Sequence, residues 1–160
     1  MNFMGVGKGF EMCIRDRYMA GSQLLEGAGK DMFQNDLLKR AQGINAYQEG
    51  GKGWSKIGKE TLLKMDPDVI FLEQGGAEAD DLMKEEAFAN MKAVQNKQVY
   101  TFPSSLETWD TPNLSSCLGV LWAYATLYPE HLSMQDVKTE AVKFYQTFYG
   151  IDVNPDRLGF

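Results

Sequence analysis

Cysteine, histidine and basic charge are scarce in this chain, and it has no long hydrophobic run. There are two cysteines, Cys13 and Cys117, far apart and without CxxC spacing. That spacing signals neither a zinc knuckle nor a disulfide framework. Cys117 falls in an apolar helical run and reads as a small core residue. His131 is the sole histidine, which excludes a multi-histidine metal site. The 16 Lys and Arg are outnumbered by 22 Asp and Glu, giving a formal net charge of −6. Nucleic acid needs a clustered basic footprint, and anionic membrane needs one too. The longest apolar run, Leu118 to Leu127, falls short of the roughly 20 residues of a membrane span. No Ser-His-Asp or Cys-His nucleophile system can be assembled. Gly5-Val-Gly-Lys-Gly9 and Gly27-Ala-Gly-Lys-Asp31 miss the GxxxxGK[ST] pattern and read as turns. Nothing points to a cofactor.

An export signal is missing as well. Residues 1–17 have no apolar central stretch, and Gly5, Gly7 and Gly9 interrupt them. Met12-Cys-Ile-Arg-Asp-Arg17 has the look of a translated sequencing adapter. On that expectation residues 1–17 are a non-native or disordered leader, and the rest is the back half of a longer gene product.

What remains has a regular rhythm. Hydrophobic residues make up 44% and charged residues 24% of the 160, the profile of one globular domain. Tyr18-Met-Ala-Gly-Ser reads as a strand that turns at Gly21, and Gly27 to Asp31 as a loop. Phe33, Leu37, Leu38 and Ala41 share a helical face, with Gly43 as the C-terminal cap. Gly58 serves as an N-cap for a short helix through Leu62, Leu63 and Met65, which Pro67 stops. Val69-Ile-Phe-Leu72 is a continuous apolar run, the mark of a strand covered on both faces. Ala79 to Met91 reads as a helix broken near Ala89. Gln98 to Phe102 is a strand stopped by Pro103. Pro112 to Tyr128 is the most apolar helix, with Leu114, Leu118, Leu121, Trp122 and Ala125 spaced for burial. The last helix starts at Ser133-Met-Gln-Asp136, buries Val137, Ala141, Phe144, Tyr145 and Phe148, and ends at Gly150. Strands alternating with helices predict an α/β fold: a three-layer, Rossmann-like lobe whose small, mainly parallel sheet is flanked by helices.

In open α/β sheets ligands bind beyond the carboxyl ends of the strands. Here those ends lead into Gly21-Ser22, Glu73-Gln-Gly-Gly76 and Pro103-Ser-Ser-Leu-Glu-Thr-Trp109. The candidate ligand-binding residues in these loops are Gln74, Ser104, Ser105 and Trp109, and Trp54, which follows a glycine-rich turn and precedes a helix, joins them. Each tryptophan admits two readings, an anchor folded onto the core or an apolar wall for a ligand; for Trp109 the two are even, and for Trp54 the residues alone favour the anchor. Glu60, at the second position of its helix, reads from the residues alone as a carboxylate that serves the helix dipole, worth ~0.3–1 kcal/mol when exposed, with an arginine on a partner as the other reading. Tyr145 and Tyr149 lie one helical turn apart and read as packing rather than as iron ligands.

The stretch from Trp54-Ser-Lys-Ile-Gly-Lys-Glu60 to Met65-Asp-Pro67-Asp-Val-Ile-Phe-Leu72 resembles the second lobe of the substrate-binding proteins (class III) that feed iron-siderophore and vitamin B12 ABC importers. Phe33-Gln-Asn-Asp-Leu-Leu, Gly43-Ile-Asn45, Phe88-Ala-Asn-Met-Lys-Ala-Val, Trp109-Asp-Thr-Pro112, Leu127-Tyr-Pro-Glu130 and Phe144-Tyr-Gln-Thr-Phe-Tyr-Gly150 extend the likeness over most of the chain. The resemblance implies a lobe over residues 18–152 with a tail at 153–160. It implies capture of a metal chelate, no bond made or broken, and partners limited to that ligand and an ABC permease dimer. Location would be extracytoplasmic, with membrane contact only through the transporter or an anchor outside this chain. Trp54 matches a position that lines the cleft, Trp109 lies in the other cleft-facing loop, and Glu60 matches the glutamate that docks on the permease. Gly58 departs from the serine usual at that helix start. The alternative from the residues alone is a Rossmann-like enzyme domain, such as a nucleotide-linked transferase, which needs a phosphate-cradling glycine turn.

Overall fold

A computed structural model describes residues 16–160, with side chains from Arg17 onward. Cys13, the Gly5–Gly9 motif and most of the 1–17 leader lie outside the described residues. The elements in chain order are β1 (Asp16–Ala20), β2 (Glu26–Ala28), α1 (Phe33–Arg40), β3 (Ile44–Asn45), β4 (Trp54–Lys56) and α2 (Lys59–Met65). There follow β5 (Val69–Leu72), α3 (Ala79–Lys84), α4 (Lys92–Gln95), β6 (Val99–Thr101), α5 (Ser116–Leu127) and α6 (Met134–Tyr149). The six strands run β4-β2-β1-β5-β6 across one sheet, with β3 beside the first residues of β1. β1, β3, β5 and β6 are parallel, while β2 is antiparallel to both β1 and β4. This is the layered α/β lobe that the sequence predicts.

β5 explains the layering. All four of its residues are buried, and its side chains alternate between the faces as strand geometry requires. Val69 and Phe71 join a cluster under α1, α5 and α6. Ile70 and Leu72 join a second cluster under α2 and α3. Phe71, Phe102 and Trp122 pack ring against ring, with centroids 5.3 Å, 4.8 Å and 5.6 Å apart.

The helix ends follow from single residues. Gly58 is the N-cap of α2, and Asp66 ends that helix in the left-handed region at φ 40°, because the following proline disfavours the helical one. α6 opens on a capping box between Ser133 and Asp136 and closes at Gly150, φ 66°.

Several boundaries differ from expectation. Gly27 and Ala28 lie in β2, not in a loop. The left-handed residue after α1 is Gln42, φ 61°, so Gly43 is not the cap. Gly43 is needed because a Cβ there would sit 2.5 Å from Cδ of the buried Arg17. That arginine belongs to β1 and donates to the Tyr128 hydroxyl at 3.2 Å, so the strand starts inside the segment that the sequence sets apart as a leader. The chain leaves helix at Glu85 rather than near Ala89. Leu82 and Phe88 both enter the core, and six residues apart they cannot share a helix face. α5 starts at Ser116 rather than Pro112, since the Asn113 and Ser116 side chains bond nearby carbonyls instead of extending a helix. That leaves Leu114 51% exposed. Phe148 is 62% exposed, a solvent-side neighbour of Phe144 instead of a core residue. Cys117 is also exposed, on the rim of an apolar groove of about 610 Å³ between α1 and α5. The segment read as a tail packs down, with Leu158 buried and the Phe160 ring 5.4 Å from that of Trp109.

Gly119 fixes how closely α5 meets the loop after β6. A Cβ there would lie 2.1 Å from the Trp109 carbonyl oxygen. In an open helix Gly→Ala gains about 1 kcal/mol. Here Gly119→Ala is expected to cost about 2 kcal/mol or more, as overpacking does. Urea titration checks the sign, since a raised midpoint would show that loop and helix do not meet this way.

Candidate functional site

The parallel strands β1, β5 and β6 release their chains at one end of the sheet, and the candidate residues gather there. Gly21 marks the centre. Its N–H donates to the Glu26 carbonyl at 2.8 Å, and next to it the Glu73 N–H donates to the Ala20 carbonyl at 3.1 Å. Gly76 comes so near that a Cβ on it would sit 2.7 Å from the Gly21 carbonyl. Trp54, paired with Ala28 in β4, reaches across β2 and lays its indole over Gly21. A Cβ on Gly21 would meet that ring at 2.9 Å. The indole is half-buried. Gln74 is exposed in the turn after β5, and Ser104 is half-buried in the loop after β6, where it forms a β-bridge with Thr108.

Two expected site residues face inward instead. Trp109 is completely buried, and its indole N–H donates to the Tyr145 hydroxyl at 2.9 Å. Ser105 spends its hydroxyl on the same Tyr145 oxygen at 2.6 Å. A buried indole N–H needs an acceptor, and α6 supplies one, so this tryptophan anchors the loop to the core and offers no ligand wall. Tyr145 in turn donates to Ser115 at 3.3 Å, and Ser115 and Tyr149 both donate to Glu107, at 2.8 Å and 2.9 Å. The Ser115 and Tyr149 hydroxyls hold the Glu107 carboxyl below its ordinary range, and the same bond to Glu107 raises the Tyr149 phenol.

Glu60 is exposed in the first turn of α2. That helix begins beyond β4, whose last residue, Lys56, is level with Glu26 at the rim. Trp54 and Glu60 therefore share one end of the lobe, with the indole over the sheet and the carboxylate in solvent.

Three carboxyl groups that were not among the candidates bear on this end of the lobe, Glu26 and Glu73 at the rim and Asp110 in the interior. Glu26 accepts from the Ser22 hydroxyl at 2.8 Å. Burial, then the charge of Glu26, raises the Glu73 carboxyl. Asp110 follows the buried Trp109 and is itself wholly buried, at the N-terminal end of α1, where Gln34 donates to its carbonyl at 3.0 Å. Among the described residues, neither of its carboxylate oxygens has a hydrogen-bond partner at normal geometry. Burial drives this carboxyl from the ordinary 3.8 up to about 6, and the charge on Glu73 adds to the rise. Its own amide and the Thr108 hydroxyl only temper it. The signal for Asp110 was its place in Trp109-Asp-Thr-Pro112, but nothing in that string says that the aspartate is buried. Among the described residues no group of three His, Cys, Asp or Glu is arranged to hold a metal ion.

The sign of the Asp110 effect follows directly. Its carboxyl binds a proton more tightly folded than unfolded, so its contribution favours folding at low pH and is lost as pH rises from about 4 through about 6. Asp110→Asn is expected to remove that slope. At pH 7 the variant should gain roughly 1–3 kcal/mol relative to its own difference from the parent at pH 4. Paired urea titrations at the two pH values check this, and equal differences at both would place the carboxylate in contact with solvent.

Comparisons with known proteins bear on the fold. No curated protein matches the chain. Among solved structures, a periplasmic solute-binding protein from Veillonella parvula superposes with a TM-score of 0.82 at 22% identity, over 92% of this chain and 47% of that one. An ABC transporter solute-binding protein from Sulfurospirillum deleyianum gives 0.78 at 26%, over 91% and 46%. The molybdate periplasmic binding protein MolA from Haemophilus influenzae gives 0.74 at 23%, over 88% and 43%. The chain thus spans less than half the length of these relatives. The profile of the periplasmic binding protein family matches residues 20–106, over half of the sequence. By that match the chain belongs to the periplasmic binding protein family.

Proposed function

We propose that residues 18–152 are the C-terminal lobe of the substrate-binding component of an ABC importer for iron complexes or related metal chelates. The family consists of solute-binding proteins, and its members work outside the cytoplasmic membrane. No helix among the described residues is long and apolar enough to cross one. The observation that carries the reading is the division of labour at one end of the lobe. A half-buried indole lies over Gly21 where the parallel strands end, and an exposed carboxylate stands at the start of α2.

The mechanism is capture and delivery. Trp54 covers an apolar part of the ligand, while Gln74 and Ser104 at the same rim offer hydrogen bonds. A second lobe closes from the opposite side. Glu60 then pairs with an arginine of a permease dimer, and opening of the transporter releases the cargo. No bond of the ligand is broken.

The enzyme alternative loses its motif. Gly29, the glycine of Gly27-Ala-Gly-Lys nearest α1, is occupied by a backbone contact, since a Cβ on it would lie 2.3 Å from the Gly51 carbonyl oxygen. The turn packs against its own chain at this glycine.

Two substitutions in the full-length gene product separate the roles. Glu60→Ala is expected to cut uptake at least tenfold while leaving ligand affinity within about twofold, because removing one partner of an interfacial charge pair costs ~2 kcal/mol or more. Trp54→Ala is expected to weaken ligand binding roughly tenfold or more, as loss of an aromatic anchor does. Calorimetry and uptake assays measure the two, and unchanged uptake for the first or unchanged affinity for the second would remove that residue from the mechanism.

A further inference from the structure

Trp54 stands on an edge strand. β4 is three residues long and among the described residues pairs with β2 alone, where Trp54 faces Ala28. Strand register fixes the Cα of a tryptophan and leaves its ring a choice of rotamers. A second contact has to set the plane of the indole, and Gly21 supplies it. A Cβ on Gly21 would lie 2.9 Å from Cδ2, 3.0 Å from Cε3 and 3.2 Å from Cε2 of Trp54. Cδ2 and Cε2 are the atoms shared by the two rings, and Cε3 is bonded to Cδ2. No point outside the rings but in their plane is so nearly equidistant from all three. The indole therefore lies flat on Gly21, face against backbone.

Gly21 cannot retreat from the ring. Its N–H is held by the Glu26 carbonyl at 2.8 Å, and Ala20 before it accepts from the Glu73 N–H at 3.1 Å. On its carbonyl side stands Gly76, where a Cβ would sit 2.7 Å from the Gly21 oxygen and 3.1 Å from Cα of Ser22. The φ of Gly21 lies outside the left-handed region, so its backbone would suit alanine. What stands in the way of a side chain is the indole, to which the three nearest atoms all belong. With the backbone held, an added methyl displaces the ring, which must lift by about half an ångström to reach ordinary contact.

We propose that Gly21 is a positioning residue of the binding site: its bare backbone sets the plane and depth at which the Trp54 indole meets the cargo, and Gly76 keeps that backbone in place. Gly21 acts through the ring and not on the ligand. An aromatic anchor binds well when it is already held in its bound orientation, and it loses affinity when its plane is displaced. The inference rests on the solute-binding reading above and adds to it the element that holds the aromatic.

The test is a double-mutant cycle in the full-length protein: the parent, Gly21→Ala, Trp54→Ala and the two together. Gly53→Ala is the control, a glycine beside Trp54 with open space at its Cβ position and no left-handed φ. Calorimetry is run with a ferric trihydroxamate, a ferric tris-catecholate and cyanocobalamin, and the cycle is completed with those that the parent binds. Acrylamide quenching reads the indole itself, the Trp54 share being the difference between each form and its Trp54→Ala counterpart. Gly21→Ala is expected to weaken binding roughly fivefold or more and to raise quenching of the Trp54 share, yet to cost less than about twofold once the indole is gone. Gly53→Ala should keep affinity within about twofold of the parent. Urea titration covers the case in which Gly21→Ala folds poorly: the methyl should lower the midpoint in the parent and not in Trp54→Ala. Unchanged affinity or quenching for Gly21→Ala, or equal losses with and without the indole, would overturn the positioning role and leave the solute-binding function standing. Binding of none of the three probes by the parent would overturn the metal-chelate reading, and this inference with it.

Discussion

β5 is the constraint from which the rest follows. Its four residues are buried on both faces and paired on both edges, to β1 and to β6. A strand in that position cannot slip, because a shift of one residue would exchange Val69 and Phe71 with Ile70 and Leu72 between two differently shaped cores. Registry in β5 fixes where β1 and β6 end, and so fixes that Gly21, Glu73 and the loop at Pro103 reach one rim. The site is a consequence of where parallel strands stop, not of a motif that gathers it.

The rim is then held by two kinds of fastening. On the β1 side backbones are brought together, with Gly21 and Gly76 each lacking the side chain that would keep them apart. On the β6 side the fastening is polar. The loop from Pro103 to Ser115 is tied to α6 through Tyr145, which accepts from Ser105 and Trp109 and donates to Ser115. One phenol thus satisfies two donors and one acceptor that burial would otherwise leave unpaired, at ~1–3 kcal/mol for each unsatisfied group. The fastening also explains why the loop's indole is not a ligand wall. A hydroxyl on the neighbouring helix is a better partner for its N–H than a cleft filled with water.

Much of this was legible from local pattern, and the misses have a common cause. The unbroken apolar run of β5, the proline after α2, the Ser133–Asp136 box and the glycine at 150 each specify structure through residues near them in sequence, and each element appears where its pattern puts it. What failed depended on residues far away. Trp109 and Ser105 turn inward because of Tyr145, Gly43 is required by Arg17, and Glu26, Glu73 and Asp110 converge only once three strand ends meet. Cys117 and Phe148 show the converse. Both carry hydrophobic periodicity, yet both sit on the outer side of helices whose inner side was already filled by Leu118, Trp122, Val137 and Ala141. Periodicity identifies a helix more securely than it identifies which edge of the apolar stripe faces the core.

The carboxylates raise a question of balance that the fold itself answers. A core group such as Asp110, with its carboxyl pushed up to about 6, is a liability that a lysine nearby would relieve. Arg17 shows that the lobe does bury a cation where structure alone calls for it: at the opposite end of β1 it donates to the Tyr128 hydroxyl and lies 5.7 Å from that ring. Among the described residues no ion pair reaches Asp110, and only its own amide and the Thr108 hydroxyl temper the rise. Strain of this kind persists where another constraint over-determines it, and binding sites are where such constraints collect.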